Sequence, residues 1–201
     1  MSTLVGKKAP DFTSSAVLPD GEIINNFNLT NYIANKKALI FFYPFDFTFV
    51  CPTELLALHN RMEFFKERKI EVIAVSIDSE HTHKAWRETE ISKGGIGNVD
   101  FNMVADVKHE IVKSYGVEHP DIGAAFRASF LVDKNGIIRS QIINDLPIGR
   151  NIDEIIRTFD AIEFNDKYGE VCPVGWQKGD KGLQTNNESI AKFLQEQFDK
   201  I

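Results

Sequence analysis

Two strand-length runs, Ala38-Leu39-Ile40-Phe41-Phe42-Tyr43 and Val72-Ile73-Ala74-Val75-Ser76-Ile77, constrain this chain more than any other feature of it. A strand that alternates apolar and polar residues can leave one face in water, but a run apolar at nearly every position must be covered on both. Between the runs, Leu55, Leu56, Leu58, Met62 and Phe65 fall at helical spacing. Strand, helix and strand in that order make a parallel pair joined by a right-handed crossover. The chain has 201 residues, of which 43% are hydrophobic, so it can bury a core around such a unit.

The remaining elements extend that sheet. Turn signals at Ala9-Pro10-Asp11, Pro19-Asp20-Gly21 and Asn25-Asn26 read as short N-terminal strands and loops. Ser79 is a suitable N-cap for a helix running to about Glu90, followed by a loop from Lys93 to Asn98. Phe101 to Ala105 reads as a short strand, and Lys108 to Tyr115 as a short helix stopped by Gly116. Residues 125–132 and 137–143 are strand-like, and Asp133-Lys134-Asn135-Gly136 between them is a hairpin turn. Ile152, Ile155, Ile156, Phe159 and Ile162 then mark an amphipathic helix ending near Phe164. This order predicts an α/β fold with a thioredoxin-like central sheet and N-terminal strand additions. The domain spans 1–164. A tail, 165–201, is loop-like through Lys178-Gly179-Asp180-Lys181-Gly182 and closes with a helix carrying Ile190, Phe193, Leu194 and Phe198 on one face.

Charge and cysteine usage remove several classes of function. The formal net charge is −6, and no basic run exceeds Lys7-Lys8 or Lys36-Lys37, which argues against nucleic acid or an anionic membrane as partner. The N-terminus lacks a signal-like apolar stretch and no window reaches the length of a membrane span, so a cytoplasmic location is expected. Cys51 and Cys172 lie too far apart in the chain for a C-x-x-C zinc pair, and two cysteines make no disulfide scaffold. In a reducing compartment they are either packing residues or redox chemistry. His81 and His83, two apart, fall on different helix faces and read as solvated residues, so no metal site is expected. Gly94-Gly95-Ile96-Gly97 lacks the preceding strand and the following Lys-Ser/Thr of a phosphate loop. Sixteen phenylalanines point to an aromatic core, or to a Phe-lined site or interface.

Cys51 falls between the strand ending at Tyr43 and the helix carrying Leu55, in or near that helix's first turn. Either Thr48 caps the helix, or Cys51 does with Pro52 at the first helical position. In both cases the free N–H groups and positive dipole end favour an anion, and the thiolate is the attacking form of cysteine. Alone, such a cysteine is more commonly a small buried apolar residue.

Its neighbours decide between these. Pro44-Phe45-Asp46-Phe47-Thr48-Phe49-Val50-Cys51-Pro52 matches the P-x-x-x-T-x-x-C motif of peroxiredoxins, and Asp46 to Glu54, DFTFVCPTE, resembles the typical two-cysteine subfamily. Ala9-Pro10-Asp11-Phe12, Ser76-Ile77-Asp78-Ser79, Gly94 to Gly97, Arg127 before Phe130-Leu131-Val132-Asp133, Asp145 to Arg150, and Glu170-Val171-Cys172-Pro173 resemble further landmarks in family order. The bacterial alkyl hydroperoxide reductase C group is the nearest likeness.

The resemblance implies a thiol-dependent peroxidase acting on hydrogen peroxide and organic hydroperoxides. It implies Cys51 as nucleophile, Thr48 and Arg127 as donors to the peroxide, and Pro44 as the shield of the sulfur. Glu54 and Arg150 match a network holding the first arginine; read without the family they are a surface ion pair. Cys172 matches the resolving cysteine, which forms a disulfide with Cys51 of another chain. The likeness further implies a homodimer and a decameric ring of five dimers. It implies no cofactor, but an external thiol reductant: a flavoprotein reductase, a small dithiol partner or thioredoxin. A ring-forming chaperone and a thioredoxin-type disulfide oxidoreductase are the alternatives; the second lacks its C-x-x-C, because Glu54 stands where the second sulfur belongs. Family members easily inactivated by excess peroxide pair a Gly-Gly-x-Gly loop with Tyr-Phe in the C-terminal helix. This chain has the loop at Gly94 to Gly97 but Phe193-Leu194 in the helix, which implies intermediate sensitivity.

Overall fold

The computed structural model describes residues 3–200. Seven strands are formed: β1 (Thr13–Val17), β2 (Ile23–Asn28), β3 (Lys37–Phe42), β4 (Ile70–Ser76), β5 (Asn102–Ala105), β6 (Arg127–Val132) and β7 (Ile138–Asn144). They make one sheet in the order β2-β1-β5-β4-β3-β6-β7. The helices are α1 (Leu29–Tyr32), α2 (Cys51–His59), α3 (Met62–Glu67), α4 (Glu80–Glu88), α5 (Glu110–Ser114), α6 (Ile152–Tyr168) and α7 (Asn187–Gln197). The chain divides into two compact units, one ending at Ile152 and the other beginning at Asp153.

In the first unit, the two apolar runs are the central strands. β3 and β4 pair in parallel from Lys37↔Ile70 to Phe42↔Val75, and both are buried along almost their whole length. β4 and β5 are also parallel, while β6 and β7 close one side as an antiparallel hairpin. Its turn is set by Asp133, whose Oδ1 accepts from Asn135 N and Ile137 N at 2.9 and 3.0 Å, and by Gly136 at φ 77°. That φ is free of steric cost only for glycine. Phe42, Tyr115 and Phe130 pack ring to ring at 5.0–5.8 Å on one side of the sheet. Phenylalanine serves core and surface alike, since Phe47, Phe49, Phe64 and Phe198 are exposed.

Three expectations are corrected. The helix expected to carry Leu55 through Phe65 without a break is two, because at Arg61 the backbone (φ −114°, ψ 10°) leaves helical geometry and its N–H bonds three residues back to Leu58. Leu55, Leu58, Met62 and Phe65 nevertheless stay buried, so the apolar pattern records the shared face and not the break. The helix expected to end near Phe164 runs to Tyr168, where Gly169 (φ 69°) donates to Asn165 O at 2.8 Å, a left-handed C-terminal stop. His83, expected in solvent, is fully buried: the inward face of α4 is His83, Trp86 and Arg87. Ser79 does cap α4, accepting from Thr82 N at 3.2 Å.

In the second unit, α6 is followed by a loop segment whose ends meet at the Val171↔Leu183 bridge, and then by α7, capped by Asn186. Trp176 is buried, its ring 4.9 Å from Phe164.

Candidate active site

β3 delivers the chain to the site. Beyond Phe42, Tyr43 and Pro44 are buried, and the loop turns sharply at Phe47, whose φ of 53° is unusual for a bulky residue. α2 then begins directly with Cys51. Its N-cap is Val50, with no side-chain cap, so neither Thr48 nor Cys51 fills that role; Pro52 sits inside the first turn, where its missing N–H costs nothing. Thr48 is half-buried and its hydroxyl donates to Phe45 O at 3.0 Å.

Sheet register brings the second component. Phe42, the last residue of β3, pairs with Ala128, so Arg127 stands one residue beyond the strand's end, beside the loop to α2. Its Nη1 lies 3.4 Å from Cys51 Sγ and 2.9 Å from Glu54 Oε2, while its Nε donates to Leu146 O at 2.5 Å. Cys51 is fully buried and Arg127 nearly so.

Glu54 lies three residues after Cys51, hence on the same face of α2. Its Oε1 accepts from both the backbone N and Nε of Arg150 at 2.8 Å, and its Oε2 accepts from Arg150 Nη2 and Arg127 Nη1 at 2.9 Å. Arg150 also donates to Ala128 O at 2.7 Å and to Ser129 Oγ at 3.1 Å, and its guanidinium lies 3.3 Å from the Phe41 ring centroid. Burial works to raise the Glu54 carboxyl, but the hydrogen bonds and charge of Arg150 outweigh it and hold the group below the usual carboxylate range. Burial lowers Arg150, against the pull of Glu54. Two guanidiniums against one carboxylate leave one positive charge beside the sulfur, in a setting where water screens it poorly. These four side chains form one buried cluster and not a surface ion pair.

A second polar layer supports the loop, and sequence reasoning missed it. Tyr43 OH donates to Asp46 Oδ1 at 2.6 Å; Asp46 Oδ2 lies 2.7 Å from His83 Nδ1 in a hydrogen bond; His83 Nε2 donates to Val104 O at 3.2 Å. Asp46 N donates to Asp78 Oδ2 at 2.9 Å, which also accepts from Ser76 Oγ at 2.6 Å. Burial raises Asp46, with His83 opposing, and burial and the adjacent Asp46 raise Tyr43. Trp86 stacks obliquely on Phe47 and Tyr43 and donates to Gly94 O at 2.9 Å, tying the Gly94 to Gly97 loop to this layer. Gly95 is obligatory there, because a Cβ would fall 1.9 Å from Thr89 O. The available signal was a tyrosine ending an apolar run with an acid three residues on.

Cys172 belongs to the second unit. It is partly exposed, and its thiol donates to Ala161 O at 3.6 Å. Burial pushes the thiol up, with Arg157 working against it. Among the described residues, no group of three or more His, Cys, Asp or Glu side chains is placed to hold a metal ion, and no helix is long and apolar enough to cross a membrane.

A buried thiol opening a helix beneath a fixed guanidinium, on a thioredoxin-like sheet, defines a thiol-dependent peroxidase. Known proteins agree. The AhpC/TSA family model matches residues 5–141, and the model of the C-terminal domain of 1-Cys peroxiredoxin matches 161–196. Alkyl hydroperoxide reductase C of Buchnera aphidicola from Schizaphis graminum is 50% identical over 98% of this chain and 99% of its own. That of Helicobacter pylori (strain 26695) is 47% identical over 98% of this chain and 100% of its own. Reduced 2-Cys peroxiredoxin of Plasmodium vivax superposes with a TM-score of 0.92 at 44% identity, covering 96% of this chain and 100% of that one. The chain belongs to the AhpC/TSA family.

Proposed function

We propose that Cys51 is the nucleophile of a peroxidase reducing hydrogen peroxide and organic hydroperoxides, and that Cys172 of the partner subunit resolves it. The observation that carries this reading is Arg127 Nη1, 3.4 Å from Cys51 Sγ and itself fixed by Glu54. The Cys51 thiolate attacks one peroxide oxygen, the O–O bond breaks, and the other oxygen takes a proton and leaves as water or alcohol. Cys51 becomes a sulfenic acid. Arg127 holds the thiolate and the developing charge on the peroxide, the kind of preorganised donor that lowers such barriers most. Thr48 becomes the second donor by rotating its hydroxyl off Phe45 O, and Pro44 keeps water from the sulfur. Glu54 and Arg150 position Arg127 and touch no reacting atom.

Cys172 of the partner subunit then attacks the sulfenic sulfur, the S–S bond forms, and the hydroxide leaves as water. An external thiol reductant, a flavoprotein reductase, small dithiol protein or thioredoxin, restores both thiols, so thiols supply the two electrons and no metal, haem or flavin of this chain's own is required. Reciprocal Cys51–Cys172 pairing is self-complementary and suits a two-fold homodimer, five of which make the ring. The division of labour is a peroxidase domain over 1–164 and a resolving tail over 165–201, in the cytoplasm. A disulfide oxidoreductase is disfavoured because Glu54, in place of a second thiol, is committed to two arginines.

Peroxide consumption with a thiol reductant tests this. Cys51→Ser is expected to abolish it. Cys172→Ser is expected to spare the first turnover but abolish the peroxide-induced band of twice the monomer mass on a non-reducing gel. An oxidised monomer with both cysteines joined in one chain refutes the intersubunit step.

A further inference from the structure

In the second unit, Arg157 and Ala161 stand four residues apart on α6 and therefore on one helix face. Glu154 holds the Arg157 guanidinium in a fork, accepting from Nε at 2.6 Å and from Nη2 at 2.7 Å. The remaining Nη1 donates to Trp176 O at 2.9 Å. Cys172, four residues before Trp176, rests its thiol on Ala161 O. The segment from Cys172 to Trp176 thus lies along this face, with the thiol on one turn and the arginine fastening the other end. That end is itself rigid: Trp176 is buried, stacks near Phe164 and donates its indole N–H to Asp180 O at 3.2 Å.

We propose that Arg157 is a positioning residue for the resolving step, docking the Cys172–Trp176 segment on α6 and lending its positive charge to the anionic form of the Cys172 sulfur. This rests on the peroxidase reading above. The resolving attack needs a thiolate. Its sulfur forms the S–S bond as the S–O bond of the sulfenic acid on Cys51 of the partner subunit breaks, and the departing hydroxide takes up the proton that Cys172 gave away. Cys172 is oxidised and the Cys51 sulfur is reduced. Burial opposes the loss of that proton and Arg157 favours it. Of the other charged groups around the segment, Glu170 accepts from the Gln184 amide at 2.9 Å, Asp180 accepts from Gln177 N at 2.8 Å, and Lys178 pairs with Asp160 at 3.7 Å, while Lys181, Lys192 and Glu196 line the cleft beside Pro173 and Trp176. Glu154 offsets part of the Arg157 charge, so the effect on the thiol is that of a partly balanced cation.

The test uses the full reduced protein with both cysteines, following alkylation of each across pH by mass spectrometry. Arg157→Met keeps the apolar stem and removes the charge; Arg157→Lys keeps the charge and loses the fork. The expected result is a Cys172 midpoint raised by roughly half a pH unit in Arg157→Met, the scale of one charge several Å away in a wet setting. Arg157→Lys brings it most of the way back, and peroxide-driven disulfide formation near neutral pH slows about threefold in the methionine variant alone. Native circular dichroism and unchanged Cys51 labelling show that the fold has survived. An unshifted Cys172 midpoint in Arg157→Met overturns the proposal, as does an equal shift in both variants, which leaves docking without charge. A protein inert to peroxide defeats the peroxidase reading, whereas the labelling curves still decide the role of Arg157.

Discussion

The two cysteines occupy opposite kinds of surroundings. Cys51 is fully buried at the start of a nine-residue helix, and the guanidinium beside it is locked by a carboxylate that takes four hydrogen bonds. Cys172 is partly exposed, makes one long contact with a carbonyl, and sits between Gly169 and Gly175, both at positive φ, with Val174 beside it 74% exposed. Reaction with a small peroxide rewards a site fixed in advance, because donors already in place need no reorganisation as charge develops. Reaction with another protein's sulfur rewards a segment that can leave its resting place at small cost.

The most severe way to break this contrast is to unlock the rigid half. Glu54→Gln leaves two buried guanidiniums without their carboxylate, and breaking a buried pair on one side costs about 3–5 kcal/mol. A denaturant midpoint well below the wild type's checks this. The same variant changes the pH dependence. The folded-state value of Glu54 lies below the ordinary one near 4.5, so its stabilisation is complete above that pH and is lost as pH falls through the folded-state value. Acid unfolding is expected to lose that component in Glu54→Gln, and an unchanged acid profile contradicts it.

Much of the fold was legible because it is encoded in short-range chemistry. The two apolar runs, the Asn135-Gly136 turn and the Ser79 cap each need only their own neighbours to be read. The α2–α3 break was hidden because burial of Leu58 and Met62 persists across it. Gly169 was available as the stop of α6, and reading the helix from its apolar residues alone ended it a turn early. His83 was misplaced because a helix face built of histidine, tryptophan and arginine has no apolar periodicity. The cluster at Cys51 is a harder case. Only Glu54 is local to the thiol; Arg127 and Arg150 reach it through the β3–β6 register and the loop after β7, and no spacing in the chain announces that meeting. Family resemblance singled them out where physical pattern could not.

A narrower break removes the donor and keeps the fold. Arg127→Met retains an apolar stem but takes away the guanidinium 3.4 Å from the sulfur. Losing one preorganised donor to developing charge corresponds to ~3–4 kcal/mol, or a first turnover slower by a factor of hundreds. Stopped-flow measurement of Cys51 oxidation with limiting peroxide reads this directly. Glu54 then accepts only from Arg150, so the stability loss is expected to be smaller than in Glu54→Gln. If Arg127→Met oxidises at a near-normal rate, the contrast between a fixed and a loose thiol has no catalytic meaning.

The smallest expected effect concerns timing between the two thiols. A sulfenic acid held folded away from its resolving partner is exposed to a second peroxide, which converts it to sulfinic acid. Its fate therefore depends on how tightly the tail is ordered. In the second unit, Phe193 is half-buried and lines a cleft of about 600 Å³ together with Pro173, Trp176 and Leu183, whereas Leu194 is 43% exposed and lies outside that lining. Helix α7 thus contributes one aromatic ring to this cleft. Phe193→Ala withdraws a ring whose burial contributes about 25 cal/mol per Å², so it should free the segment and lower sulfinic acid formation at Cys51. Replacing Phe193-Leu194 by Tyr-Phe adds a hydroxyl and a second ring and should raise it, placing the wild type between the two. Mass spectrometry of Cys51 across a peroxide series ranks the three proteins. Equal sulfinic yields in all three mean that escape of the resolving segment does not limit resolution, and that the looseness around Cys172 already exceeds what the chemistry needs.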